Sequence, residues 1–418
     1  MKNMRKTISA AAAALIVLSC VSFAFADSGA SALSASTAGE AGAPIRLSLK
    51  DAVKIMQTAG TSAETAQINR NSDKAVAEGY SESVTAIRNT LDKLDYMQDI
   101  LSRLPGGAPG AAELNGAYWK GLTAAQSQGA TGINEKIMKL RRDFAKGQID
   151  SNYQAEMNQI EYITVQAYYG ALLAQENLKI AGDNVKAQQD ILKNVEAQFK
   201  EGMAARKDAL FARASLEAAK SDLETAQSKL ENAKRSFNFL LGYPVMQEVV
   251  FTDKLAEAAF PSIELDKAIS AAKENRNEIK GARFAKEVHG VLLENLRYQY
   301  PVNSSTYLNE QAACLNAEKS AKDAPSQVEI DIRNRWDQMV DLKAAIISAQ
   351  AVKSYAEEGY RLIQLSYEAG MCTLSELQQV QVSAYKASLG VAAATTNYDL
   401  AVCDFGYAIS VGTARLPL

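Results

Sequence analysis

The chain has 418 residues, of which 47% are hydrophobic, 22% charged and 7% aromatic, with 45 Lys and Arg against 48 Asp and Glu. That apolar content supports a sizeable core in one to three domains and excludes disorder over the whole length. A single histidine, His289, excludes histidine-rich metal sites, no CxxC, HExxH or phosphate-loop pattern occurs, and the slight acidity gives no footprint for nucleic acid.

Lys2, Arg5 and Lys6 precede an apolar stretch from Ala10 to about Val21, and Ala24-Phe25-Ala26 supplies the small residues that a secretory signal peptidase accepts. Residues 1–26 are therefore expected to be a signal peptide, with a mature chain from Asp27 of formal charge -6. A competing reading makes Cys20 a lipid-modified first residue of a lipoprotein, although Leu18 is bulky for that pattern. Residues 27–44, rich in Ala, Ser and Gly, are expected to form a flexible leader, because they hold almost no large apolar side chain to offset their ordering entropy. No later run of 18 apolar residues occurs, so no second transmembrane helix is expected.

No proline lies between Pro109 and Pro244 or between Pro325 and Pro417, gaps that a turn-rich β fold does not fit. From Tyr153 to Phe199 apolar and small residues step in fours and threes, interrupted only by Thr164 and Gln188, at the 3.5-residue period of a supercoiled seam. This predicts a helix from about Glu135 that Gly202 ends. Asp208 then opens a return helix with a seam from Leu216 to Leu240, stopped by Gly242-Tyr243-Pro244.

The second half repeats the design. Val328, Ile332, Met339, Leu342, Ile346 and Tyr360 to Tyr367 form a ladder broken by Arg335 and Lys353, Gly370 closes it, and Glu376 opens a return helix with a seam from Val380 to Phe405. Phe199-Lys200-Glu201-Gly202-Met203 lies over Tyr367-Glu368-Ala369-Gly370-Met371 at an offset of 168, which also pairs Asp208 with Glu376. The opening segments Leu47-Ser48-Leu49-Lys50-Asp51-Ala52 and Ile263-Glu264-Leu265-Asp266-Lys267-Ala268 match as well, so an internal duplication is expected, with repeats over 45–256 and 257–418. The fold class is all-α: long antiparallel helical hairpins in two repeats. Alanine at many seam positions suits helices that approach closely in a curved wall.

Two tips of the form aromatic-x-x-Gly-x-x-x-x-x-acid, in register with two Leu-x-Leu-x-x-Ala openings, resemble the TolC-type outer-membrane efflux channel family over nearly all of the mature chain. The resemblance implies a homotrimer whose protomers each give two hairpins to an α-barrel in the cell envelope. It further implies a periplasmic-type adaptor and an inner-membrane pump as partners. On this likeness Gly202, Met203, Ala204, Ala205, Arg206 and Lys207 would dock the adaptor, together with Gly370, Met371, Cys372, Thr373, Leu374 and Ser375. Glu376 would form an acidic ring at the aperture, Gln379 would stand where well-studied members carry a second acid, and Asp208 and Tyr367 would hold the aperture shut. Cys372 replaces the expected arginine of that lock. The alternative account of all these positions is that Gly, Asp and Glu merely cap helices.

The resemblance also implies two pairs of membrane β-strands per protomer, in the segments 105–132 and 297–325. The first holds seven of the 24 glycines and two β-branched residues, which predicts a loop, with Tyr118 and Trp119 as local packing or interfacial anchors. The second predicts a short hairpin at most, from Tyr298 to Tyr307, then helix through Ala312. Barrel strands are thus expected to be short or absent.

Function is expected to be conduction in an envelope duct for small molecules or peptides, the alternative being a non-conducting coiled-coil spacer. No catalytic residue, cofactor or metal ligand is expected. His289, beside Lys286 and Glu287, is expected to be a surface residue, and Cys20, Cys314, Cys372 and Cys403 form no disulfide framework.

Overall fold

The computed structural model describes residues 44–418; the expected signal peptide 1–26, Cys20 and the leader residues 27–43 lie outside the described residues. Strand β1 (Ile45–Leu47) leads into α1 (Leu49–Thr58), which Ser48 and Asp51 start with a reciprocal capping box. There follow α2 (Thr61–Arg103), α3 (Ala111–Ser127), α4 (Gly132–Lys200) and α5 (Arg206–Leu241). Strand β2 (Val249–Phe251) pairs in parallel with β1, Ile45 opposite Val249 and Leu47 opposite Phe251. The second half contains α6 (Leu265–Asn275), α7 (Asn277–Gln299), α8 (Ser305–Glu368) and α9 (Leu374–Ala408). The long helical hairpins expected from the heptad seams are therefore present. At 69 residues, α4 is about 100 Å long at the standard rise of about 1.5 Å per residue.

Within the wall, α8 lies against α9, α9 against α4, and α4 against α5, while α2 and α7 flank the first half of α4. The residues that interrupt the seams have partners. Thr164 Oγ1 donates to the Ile160 carbonyl at 2.7 Å, and Gln188 reaches across to Gln381 on α9 at 2.7 Å. Arg335 pairs with Asp331 at 3.0 Å and also with Asp404.

Two aromatic clusters hold the two halves of the chain where the hairpins meet the short helices. Tyr168, Phe237 and Phe251 pack edge to face, as do Trp336, Phe405 and Phe260. Tyr168 and Trp336, and likewise Phe237 and Phe405, stand at the same offset of 168 as the tips. The third ring of each trio comes from the connection between the halves, Phe251 entering the first core and Phe260 the second.

Both segments assigned to barrel strands by the resemblance are helical. The expected loop at 105–132 contains α3, a correction with a clear cause. Gly107, Gly110 and Gly129 take left-handed conformations at its two ends, whereas the Ala-rich stretch between them helps to form a helix. Gly121 lets α3 close on α2, since a Cβ there would lie 3.1 Å from Leu94. Tyr118 packs on the Leu94 cluster, and Trp119 remains 58% exposed. The hairpin expected from Tyr298 to Tyr307 does not form either. Helix α7 runs on to Gln299 and α8 starts at Ser305, because Pro301 cannot extend the α7 ladder and Ser304 caps α8, its Oγ accepting Tyr307 N–H at 3.3 Å. The pairs His289 Nδ1–Glu310 (2.8 Å) and Lys286–Glu318 (3.4 Å) join the two helices below the turn. Pro325 sits inside α8, leaving the Ala321 carbonyl without its helical donor. Among the described residues no helix is long and apolar enough to cross a membrane.

Candidate functional site

Both tips are built by the same backbone device. At the end of α4, Gly202 has φ +77°, its N–H donates to the Phe199 carbonyl at 3.1 Å, and the Met203 N–H reaches back to Gln198 at 2.8 Å. At the end of α8, Gly370 has φ +74°, its N–H donates to Tyr367 at 2.9 Å, and Met371 N–H reaches Ser366 at 2.8 Å. These paired bonds need a left-handed residue, which glycine adopts without a Cβ clash. Each turn thrusts a methionine into solvent, Met203 at 71% and Met371 at 76% exposure.

The return helices start differently. Thr373 caps α9: its Oγ1 accepts from Glu376 N–H at 3.2 Å, while the Glu376 carboxylate accepts from Thr373 N–H at 2.7 Å and from its hydroxyl at 2.9 Å. These donors hold the Glu376 carboxyl below its usual range. At the first tip the cap position is Ala205, whose methyl accepts nothing, so only the Asp208 carboxylate closes half of the box, onto Ala205 N–H at 3.2 Å. Asp208 is thus the third residue of α5, and Glu376 the third of α9. Gln379 follows Glu376 by one turn, exposed on the same face.

The two tips dock on each other. Tyr367, nearly buried, donates its hydroxyl to Gln198 Oε1 at 2.9 Å and packs among Ile191, Val195, Ala209, Ala212 and Leu377. Burial, and then the nearby Asp208 charge, push its phenol above the usual range. Cys372 lies at the edge of this cluster, its Sγ 3.4 Å from the Ile363 carbonyl, and burial raises its thiol. Leu374 is only 5% exposed and faces inward, away from the surface on which it was expected. Met203, Arg206, Lys207, Gly370, Met371, Thr373 and Ser375 are exposed, and Ala204 is half-buried. Between the tips lies a groove of about 840 Å³ bordered by Gln198, Met203, Lys207, Asp208, Phe211 and Ser375 among others.

Gln198 and Phe211 escaped the sequence reading. Gln198 neighbours a seam residue without interrupting the seam, so nothing in the pattern marks it. Gln188, by contrast, was marked by being polar inside an apolar ladder. Among the described residues no group of three or more His, Cys, Asp and Glu side chains converges as a metal site.

Residues 147–243, which include the first tip, match the sequence model of the family described as outer membrane efflux protein. Solved structures resemble the whole fold. The outer membrane protein VceC of Vibrio cholerae aligns over 88% of this chain and 97% of its own, with a TM-score of 0.60 at 11% identity. The Campylobacter jejuni CmeC outer membrane channel aligns over 88% and 86%, with a TM-score of 0.58 at 13% identity. The open state of the Neisseria gonorrhoeae MtrE outer membrane channel aligns over 88% and 90%, with a TM-score of 0.57 at 15% identity. At such identities the likeness to these structures is one of fold. No curated protein sequence matches the chain. The resemblance to the TolC-type efflux channels is thus borne out by the family match over the first hairpin and by the all-α hairpin fold over most of the chain.

Proposed function

We propose that the chain is one protomer of an envelope efflux duct, a homotrimeric tube that conducts small molecules or peptides and performs no chemistry on them. The observation that carries this reading is the pair of like tips, each closed by a left-handed glycine and locked together through Tyr367 and Gln198 at the end of helices up to about 100 Å long. In this reading Gly202 to Lys207 and the exposed part of Gly370 to Ser375 dock an adaptor protein that links the duct to an inner-membrane pump. Glu376 and Gln379, exposed on one face of α9, line the aperture, where three copies of a low-pKa carboxylate favour cations. Asp208 and Tyr367 belong to the contact that must part when the aperture opens.

Replacing Gly202 and Gly370 with valine tests the reading. A β-branched side chain opposes φ near +75°, so both turns deform. Export and adaptor binding should both fall at least tenfold while the trimer persists; unchanged export and binding would sink the proposal.

One observation favours a second reading, the coiled-coil spacer. Both segments where the resemblance implies barrel strands are helical, and the strands among the described residues, β1 and β2, have three residues each, too few to span an outer membrane. Glu376→Leu separates the two readings. A duct changes its conductance or cation preference, whereas a spacer keeps its envelope phenotype untouched.

A further inference from the structure

Helix α9 ends at Ala408, and after it the chain runs without regular structure across α2, α4 and α7. The strap from Ser410 to Leu416 is held mainly through its backbone. Asn158 Nδ2 donates to the Gly412 carbonyl at 2.9 Å, and Asn277 Nδ2 donates to the Ala414 carbonyl at 3.1 Å. Asn152 pairs with Leu416 at two points, Nδ2 donating to its carbonyl at 2.9 Å and Oδ1 accepting its N–H at 3.0 Å, as a neighbouring β-strand would. A fourth amide, Gln148, fixes this set by donating to Asn277 Oδ1 at 2.6 Å.

All four amides are buried on α4 and α7. Two side chains of the strap are also read. Arg415 pairs with the buried Asp73 of α2 and lies 3.4 Å from Glu156 of α4. The Leu416 side chain rests on Gly281 of α7, where an added Cβ would come within 3.2 Å of it.

Without the strap, Asn158 Nδ2 and Asn277 Nδ2 would be buried with no acceptor, Asn152 would keep only Asp73 and Gln148, and Asp73 would lose its cation, which is the composition of a binding groove and not of a helix seam. We propose that α2, α4 and α7 form a peptide-binding groove whose ligand is segment 410–416. The groove takes an extended peptide, reads its backbone through three asparagines, and selects an arginine followed by a large apolar residue. Its occupant clamps the shaft of the first repeat, α2 and α4, to α7 of the second. This clamp lies far along α4 from the tips, and its argument does not rest on the proposed role in export.

The test uses the full chain carrying Arg415→Ala, which removes the selective contact and alters no residue of the groove. Amide exchange should quicken about tenfold or more in 410–416 and in 277–284, while 206–216 at the first tip stays as protected as in the parent. Equal protection of the strap in variant and parent overturns the clamp. A labelled peptide, Ser-Val-Gly-Thr-Ala-Arg-Leu-Pro-Leu, is then added to the same variant. It should bind, restore protection over 277–284, and bind at least tenfold more tightly than the peptide with alanine in place of arginine. Absence of binding, or equal binding of the two peptides, overturns the groove. Gly281→Val in the full chain gives a second route, since it fills the Leu416 seat without touching any charge; it should free the strap in the same assay, and a strap still protected counts against the groove.

Discussion

The seams inside each hairpin and the interface between the hairpins are made of different materials. Within hairpins, α4 meets α5 and α8 meets α9 through apolar residues such as Val185, Leu216 and Ala219, or Ile332, Met339 and Phe405. Where α4 meets α9, a buried chain of amides takes over: Gln188 donates to Gln381, and Gln381 donates to Asn184. Apolar contact is non-directional and scales with area, so a seam gives stability but tolerates sliding. Buried amides contribute little net stability, yet they accept one register only. The hairpins are thus stiff bodies: the apolar cluster around Tyr367 joins them at the tips, and farther along α4 their register is set by a few directional contacts that leave Gln188 Oε1 without a partner.

The largest effect should come from breaking a hairpin core. Phe237→Ala removes a fully buried ring that touches Tyr168 and Phe251, and should cost about 3 to 5 kcal/mol in denaturant unfolding. A polar contact of α9 gives the next. Asp399 is buried, accepts only Ala258 N–H at 2.8 Å, and burial pushes its carboxyl up to about 6. A raised carboxyl stabilises the fold in its protonated form. That contribution, about 3 kcal/mol, is complete below pH 4 and lost as pH rises through 6. Melting followed from pH 4 to 8 should show this decline in the parent and a flat profile in Asp399→Asn.

Gln381→Leu attacks the directional interface itself and should cost about 1 to 3 kcal/mol, because Gln188 and Asn184 are left buried without their partner. Adding Gln188→Leu should return part of that loss, a coupling read by a double-mutant cycle; strict additivity would mean that the amides do not act as a unit. The smallest effect compares the tips. Thr373→Ala should cost about 1 kcal/mol, and Ala205→Ser should gain several tenths, by completing the box that Asp208 already half closes. Both are measurable as shifts in thermal midpoint.

How much was legible follows the same division. Seams announce themselves by period, and the tips by a glycine close to the last apolar residue, so α4, α5, α9 and the tip end of α8 could be placed from sequence to within a few residues, whereas α8 starts at Ser305, well before its seam at Val328. Helix α3 was hidden because glycines were counted across 105–132 as one group, whereas those that take left-handed conformations lie outside the helix and Gly116 and Gly121 inside it. Tyr298, Tyr300 and Val302 have strand propensity, but Pro301 and the Ser304 cap set them in a short turn between two helices. At the site, the turns and caps were legible and their docking was not. The contact of Tyr367 with Gln198 spans 169 residues and that of Asn152 with Leu416 spans 264, and single amides on helices carry no period to mark them.

The connection between the halves gives one ring to each aromatic cluster, Phe251 to the first and Phe260 to the second. Where the chain is severed therefore decides whether two half-chains complement each other. A cut between Lys254 and Glu257 leaves Phe251, and Asp253 with its bonds to Leu49 N–H and Tyr168, in the first fragment and Phe260 in the second, so each piece carries its whole ring trio. A cut before Phe251 or after Phe260 transfers a phenylalanine to the wrong fragment, and narrower limits come from Asp253, which the first fragment must keep, and from Ala258, whose N–H Asp399 of the second fragment accepts. The useful site for a split version of this protein is thus a window of about four residues.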